Sequence, residues 1–330
     1  MKTISVVTPC YNEEENIEEC YRTIKTLFEE KLPQYRLEHV FCDNASTDRT
    51  ASVLRSIAAE DPDVKVILNA RNVGAMRSNF NGVMAATGDA VVLFMPADLQ
   101  DPPELIPDMV RHWEQGVEIA YGIRATRSEG IIMKNLRRLY YRLISNVSTI
   151  KVPPDVGDYQ LVDRRVVEAM RQVEDAYPYM RIMTFEAGGK AVGIPYHWRA
   201  RRRGLSKTSF LMLLDAGLNG VVTFTAAPMR LALYFGFVIA LLSVVYALVT
   251  FVLTLVLHGN LAAPGIATLI VALFFFGGVQ LFFIGMVGEY ILAIYGQVRR
   301  KPLVNERERI NFGPPALANG ARNTELAAKP

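Results

Sequence analysis

The sequence predicts an α/β domain with a mostly parallel sheet, followed by interfacial helices and a two-helix transmembrane hairpin. Three observations carry this expectation. Short apolar runs alternate with helical patterns as far as about residue 125, the signature of strands buried on both faces and joined by crossover helices. Two later blocks, 231–257 and 265–288, contain no charged side chain; each exceeds the roughly 20 residues that cross a bilayer core. The link between them, "HGNLAAP", has neither Lys nor Arg, whereas Arg230 precedes the first block and Arg299, Arg300 and Lys301 follow the second. Basic flanks stay on the cytosolic side. A multi-pass protein of the inner (plasma) membrane is expected, with both termini cytosolic.

The elements follow in order. "ISVVTP" reads as the first strand and 14–30 as a polar-rich helix. "LEHVFCD" is the second strand, and Ser46, Thr47 or Asp48 can cap the helix after it. "VKVILN" is the third strand, 74–86 a helix, and "AVVLFM" the fourth strand. Pro103 opens another helix and "VEIAYGI" is the fifth strand. Over about 128–150, Ile132, Leu136, Leu139, Leu143 and Val147 recur at helical spacing, with Lys134, Arg138 and Arg142 on another face. Such a helix can lie in a membrane interface; a domain helix with a solvated basic face explains it equally well. The predicted organisation is a domain over 1–208 that includes this helix, a juxtamembrane amphipathic segment over 209–228, and spans at about 231–257 and 265–294 within 229–298. A tail over 299–330 completes it, disordered from about Gly313, where Ala, Gly, Pro and Asn dominate.

Bulk numbers exclude more than they suggest. The net charge is only +3 over 330 residues, so no nucleic-acid partner is indicated. The three cysteines, Cys10, Cys20 and Cys42, lack metal-ligand spacing and read as buried free thiols. "MKTISVVTP" has no apolar leader region, so no signal peptide is read there. G-x-G-x-x-G is absent after the first strand, and "TFEAGGKA" departs from a phosphate loop at Thr184 and Ala191.

Four groups of residues carry chemistry. In a sheet of this kind, ligands bind at the carboxyl ends of the strands. "PCYNEEENI" places Asn12 and Glu13 at such an end, although both residue types also cap helices. Asp43 ends the second strand in "CDNASTD" and can accept an N–H or O–H from a base or ribose; a plain turn capped by Asp48 explains the same residues. In "MPADLQDPP", Asp98 and the Gln100 carbonyl could serve a hard cation, Mg²⁺ or Mn²⁺, which takes one or two carboxylates plus phosphate oxygens. The alternative is a polar turn in which Asp101 caps the next helix. In "HWRARRRGLSKTS", Arg199, Arg201, Arg202, Arg203 and Lys207 suit phosphate groups, or else anionic lipid.

Taken in order, "PCYNEEENI", "CDNASTDRT", "RNVGAMRSNFNGVMAATGD", "ADLQDPPE", "YGIRATR", "VGDYQLVDRRVV", "RARRRGLSKTS" and "GEYILAIYGQVRRKP" resemble the family-2 glycosyltransferases of the GT-A fold. The match, over about 3–305, is similar above all to the polyprenyl-phosphate glycosyltransferases: bactoprenol glucosyltransferases, dolichol-phosphate mannosyltransferases and their relatives. The resemblance implies a nucleotide-sugar donor, UDP favoured over GDP and UDP-glucose expected, an undecaprenyl-type lipid phosphate acceptor, and inversion at the sugar. It implies that Pro9, Tyr11, Asn12, Glu13, Asp43, Ser46 and Arg71 lie on the nucleotide side with Arg124 and Arg127. Asp98 and Gln100 would hold the cation; Arg201, Ser206 and Lys207 match an R-x-x-G-x-S-K element that meets phosphates; Asp158 sits where relatives keep a catalytic aspartate, so Asp158, Asp98 and Arg201 are the expected catalytic set. Two departures stand out. Pro96 replaces the first Asp of Asp-Ala-Asp-Leu-Gln and brings neither a side-chain ligand nor an N–H, and Asn44–Ala45 replaces Asp-Gly. Gly277 and Gly278 could support a homo-oligomer through close helix approach. Two rivals are carried forward: a processive polysaccharide synthase, which would show more spans and Q-x-x-R-W, and a non-catalytic membrane-anchored sugar-nucleotide binding protein.

Overall fold

The computed structural model describes residues 1–124, 153, 156–173, 178–199, 265–298 and 302–313, together with scattered positions between 234 and 252. An eight-stranded sheet organises the first unit, in the order β7-β5-β6-β4-β1-β2-β3-β8. Its strands are β1 Thr3–Cys10, β2 Arg36–Asp43, β3 Val64–Asn69, β4 Ala90–Val92, β5 Ile119–Arg124, β6 Val156–Asp163, β7 Ala191–Tyr196 and β8 Glu306–Ile310. The helices between them are α1 Ile17–Lys31, α2 Thr50–Glu60, α3 Ala75–Ala85, a short 3₁₀ turn Pro103–Leu105 leading into α4 Ile106–Glu114, α5 Arg164–Arg171 and α6 Met180–Glu186.

The four central strands β4, β1, β2 and β3 pair in parallel. β5 and β7 are also parallel, while β6 runs antiparallel between β4 and β5 and β8 runs antiparallel on β3. The sheet is therefore mostly parallel, as expected. Near-continuous burial along β1–β3 follows from helices on both faces. On one face Ile17, Ile24 and Phe28 of α1, Leu54 of α2 and Met109 and Trp113 of α4 pack on Ile4, Val6 and Phe41. On the other, Phe80 and Val83 of α3 and Val167 and Met170 of α5 pack on Val7, Val40 and Ile67. Gly82 lets α3 approach closely, since an added Cβ would meet Val7 and Cys42 Sγ. The three cysteines are buried free thiols.

The structure revises several sequence boundaries. α1 begins at Ile17 rather than 14. β4 closes at Val92, although Leu93 N–H still donates to Gln160 O (2.8 Å) and Met95 N–H to Val7 O (2.8 Å) before Pro96 ends the ladder. Asp101 does not cap the turn after it: Pro102 is the cap residue and no side chain accepts there. The tail also departs from the expected organisation. The first unit takes in residues from Lys301 onward, and β8 within it closes the outer edge of β3. Arg309 and Glu306 pair, Arg55 reaches Glu308 at 2.7 Å, and Asn311 Nδ2 donates to the carbonyls of Ala58 (2.6 Å) and Val64 (2.9 Å).

The second unit contains α7, Gly265–Val298, 34 residues long. Its window Phe275–Leu292 has a mean hydropathy of 1.6, and it is the one helix among the described residues long and apolar enough to cross a membrane. The described positions between 234 and 252 are helical. The expected interfacial helix over 128–150, the segment over 209–228 and the tail beyond Gly313 lie outside the described residues.

Candidate active site

Two loops meet at the carboxyl ends of β1 and β2, and their backbones are tied by reciprocal bonds. Asn12 N–H donates to Ser46 Oγ (2.9 Å), Thr47 N–H to Asn12 Oδ1 (2.8 Å), Glu13 N–H to Thr50 Oγ1 (2.9 Å) and Arg49 N–H to Glu14 Oε2 (2.8 Å). Asn12 takes a left-handed conformation, φ 54°, which Asn tolerates better than most residues. Its side chain and that of Ser46 thus knit the loops together. Glu13 accepts from Asn16 Nδ2 at 2.5 Å. Pro9 lies in β1 beside Cys42, Tyr11 is 36% exposed, and Arg71 is exposed in the loop after β3.

The N-cap of α2 is Arg49 rather than Ser46, Thr47 or Asp48, and Asp48, one residue ahead of it, accepts Thr50 N–H at Oδ1 (2.9 Å). Asn44 explains its own departure from the family pattern. Its Oδ1 accepts Val73 N–H (3.0 Å) while its Nδ2 donates to Asn72 Oδ1 (2.9 Å), and a carboxylate could not make the second bond. Ala45 sits at φ 61°, where glycine carries no steric cost.

Asp43 has the most informative environment. It is 3% exposed, Oδ2 accepts Ser46 N–H at 3.2 Å, and Oδ1 has no partner among the described residues. Burial pushes its carboxyl above the usual range. A buried acceptor without a donor is costly, and a ligand N–H or O–H would satisfy it.

Beyond β4 the chain turns sharply. Leu99 N–H donates to Pro96 O (3.0 Å), Leu99 takes φ 54°, and Gln100 N–H donates to Asp98 Oδ1 (3.3 Å). Positive φ at a bulky residue is a local strain that concentrates at functional loops. Pro96 thus contributes a rigid corner at this turn. Asp98 is partly exposed, whereas Asp101 is 2% exposed and turned inward. Tyr196 O–H donates to Asp101, and Arg124 Nη2 approaches its two oxygens at 3.3 and 3.4 Å. Burial pushes the Asp101 carboxyl up, opposed by Arg124 and the phenol. Arg124 Nε also donates to Tyr196 Oη (3.0 Å), and its guanidinium lies 5.2 Å from the Trp198 ring. Arg199 N–H donates to Gln100 O (3.0 Å), so the carbonyl expected to face a cation is already engaged by one bond.

Asp158, on β6, is paired with Arg181 of α6 at 2.5 Å, both partly exposed, and its charge is felt by Asp101 and Arg124. Arg127, Arg201, Ser206 and Lys207 lie outside the described residues. Arg181 and Tyr196 were not anticipated. Arg181 carries no local motif, while Tyr196 could have been found from "AVGIPY", an apolar run whose end sits opposite Arg124 in the sheet.

Does the donor set fit a divalent cation? Among the described residues no group of three or more His, Cys, Asp or Glu is arranged around one point. Asp98 is the partly exposed carboxylate of this turn, and the Asp101 oxygens are engaged by Tyr196 and Arg124. That set fits Mg²⁺ or Mn²⁺ shared with phosphate oxygens, the usual mode for these ions, and does not fit an ion held by protein alone.

The comparisons with known proteins agree with the sequence resemblance. Residues 5–171 match Glycosyl transferase family 2, and residues 227–294 match the GtrB C-terminal hairpin. An uncharacterized glycosyltransferase of Bacillus subtilis, YkcC, is 34% identical over 91% of this chain and 91% of its own length. The SfII prophage-derived bactoprenol glucosyl transferase of Shigella flexneri is 35% identical over 91% of this chain and 96% of that one. Glucosyl-3-phosphoglycerate synthase from Mycobacterium tuberculosis, solved with Mn²⁺, UDP-glucose and phosphoglyceric acid, is 20% identical, with a TM-score of 0.46 over 67% of this chain and 78% of that one. With a matching catalytic domain and relatives above 30% identity along most of its length, the chain belongs to glycosyltransferase family 2 and is a glycosyltransferase.

Proposed function

We propose that the protein transfers glucose from UDP-glucose to a polyprenyl phosphate, undecaprenyl phosphate in bacteria, at the cytosolic face of the membrane and with inversion. The observation that carries the donor side is the sealed Asp43 carboxylate, whose unpartnered Oδ1 at the end of β2 suits a nucleoside N–H or O–H. The acceptor is supported by relatives named bactoprenol glucosyl transferase over 91% of the chain. In the reaction a lipid phosphate oxygen attacks the anomeric carbon, the bond from that carbon to the diphosphate oxygen breaks, and the nucleoside diphosphate leaves. A phosphate monoester has its second pKa near about 6, so the acceptor is ionised at neutral pH and needs no strong base. Asp158, paired with Arg181, orients the acceptor or sugar and takes no proton. Asp98, with Gln100, would hold Mg²⁺ or Mn²⁺; the ion, when bound, neutralises charge on the departing diphosphate. Arg201, Ser206 and Lys207 take the acceptor phosphate by their place in the R-x-x-G-x-S-K element.

The apolar blocks over 231–257 and 265–294 form a two-helix hairpin with a short outer loop, giving a multi-pass protein whose termini are both cytosolic. Gly277 and Gly278 support close packing between copies. A processive synthase is disfavoured because the sequence has no Q-x-x-R-W and no further long apolar block. The test is a panel of labelled sugar nucleotides with undecaprenyl phosphate in detergent. Label from UDP-glucose should enter the lipid fraction only with a divalent ion; transfer from no donor in the panel would overturn the reading.

A further inference from the structure

The turn that presents Asp98 and the 3₁₀ turn after it are bonded to the end of β7 and to the residues that follow it. Tyr196 O–H reaches Asp101, Arg199 N–H reaches Gln100 O at 3.0 Å, and Arg199 Nη2 reaches Glu104 at 3.2 Å. Arg124, at the end of β5, joins Asp101 to Tyr196 and rests against Trp198. Two residues beyond Arg199 the chain enters the basic run at Arg201.

We propose that Tyr196 is a positioning residue for transfer: through Asp101 it fixes the 96–101 turn in the shape that presents Asp98, and it ties that turn to the chain that carries the acceptor-phosphate element. This rests on the proposed reaction for its activity arm. The turn has reason to relax without such a tie, because Leu99 is held at φ 54°. Fold stability is a poor explanation for the network. A carboxylate sealed to 2% exposure against a guanidinium gains little over apolar packing, whereas its directional bonds fix one geometry. The Tyr196 ring itself packs against Gly122 and edge-on to Tyr159, at 5.9 Å between ring centres. Removing only the hydroxyl therefore leaves that packing in place.

Tyr196→Phe in the full-length, detergent-solubilised protein tests this, with three readouts: thermal melting, Mn²⁺-dependent binding of UDP by calorimetry, and kcat and KM for donor and lipid. The expected result is a melting temperature within about 3 °C of wild type, an Mn²⁺ requirement for UDP binding raised about tenfold, and kcat lowered about tenfold. Donor KM at saturating Mn²⁺ should change less than about threefold, and Asp101→Asn, which still accepts the phenol bond, should fall between. Wild-type Mn²⁺ dependence and wild-type kcat in Tyr196→Phe would overturn the proposal, as would a melting loss in both variants large enough to account for the drop. If wild-type protein binds UDP but moves no sugar to lipid phosphate, the reaction reading fails and the binding arm still decides the role of Tyr196. A wild type that binds UDP under no metal condition overturns both.

Discussion

The loops after β2 and β4 make a controlled comparison. Each ends a parallel strand at the same edge of the sheet, each contains a residue forced to positive φ, and each seals a carboxylate, Asp43 at 3% exposure and Asp101 at 2%. Burial pushes both carboxyls up. They differ in what the protein offers in return. Asp101 receives a phenol and a guanidinium, whereas Asp43 Oδ1 has no donor among the described residues. Two acidic residues with nearly the same exposure thus differ in use: one is consumed in building the loop, and the other, under the proposed function, is kept for a ligand. Exposure alone does not separate scaffold from site; the inventory of donors does.

The sharpest way to break the comparison is Asp98→Ala. Asp98 is the partly exposed carboxylate beside sealed Asp101, so its loss should lower lipid glycosylation about 1,000-fold, measured by label in the lipid fraction, while melting hardly moves. Asp101→Ala should do the reverse in the melt: it strands Arg124 and Tyr196, and denaturant unfolding should show a loss of about 3 kcal/mol. Asp43→Asn separates binding from stability. The folded pKa of Asp43 lies above its unfolded value, so the folded state favours the protonated form and loses stability as pH rises through that value. The amide removes this penalty, so the ligand-free variant should melt about 1–3 °C higher at neutral pH, with the gap closing toward acid pH. Its nucleotide affinity should nevertheless fall about tenfold by calorimetry. The smallest effect belongs to Ala45→Gly, which relieves the steric cost of φ 61° and should stabilise by about 1 kcal/mol without changing turnover.

Much of the central sheet was legible because its strands are apolar runs ended by polar turns; "VKVILN" and β3 coincide at Val64–Asn69. Asp43 could be singled out because it ends an apolar strand and Asp98 because it follows one closely, although a plain polar turn explained each equally in local sequence. What stayed hidden depends on distance along the chain. Asp101 looks like a cap in its local sequence, and its partner Tyr196 is 95 residues away. The Arg181 partner of Asp158 likewise sits on a helix that no motif marks. β8 reads "ERERI", with no hydrophobic period to announce a strand; ion pairs and the Asn311 bonds hold it in register instead.

That last strand changes how the molecule can be cut. A soluble fragment ended near residue 208 would leave the outer side of β3 unpaired, and open edges recruit other chains. Such a fragment should aggregate unless residues 302–313 are fused back or added as a peptide. The same geometry delays completion of the sheet during synthesis, because its final strand leaves the ribosome only after the long apolar helix has been made.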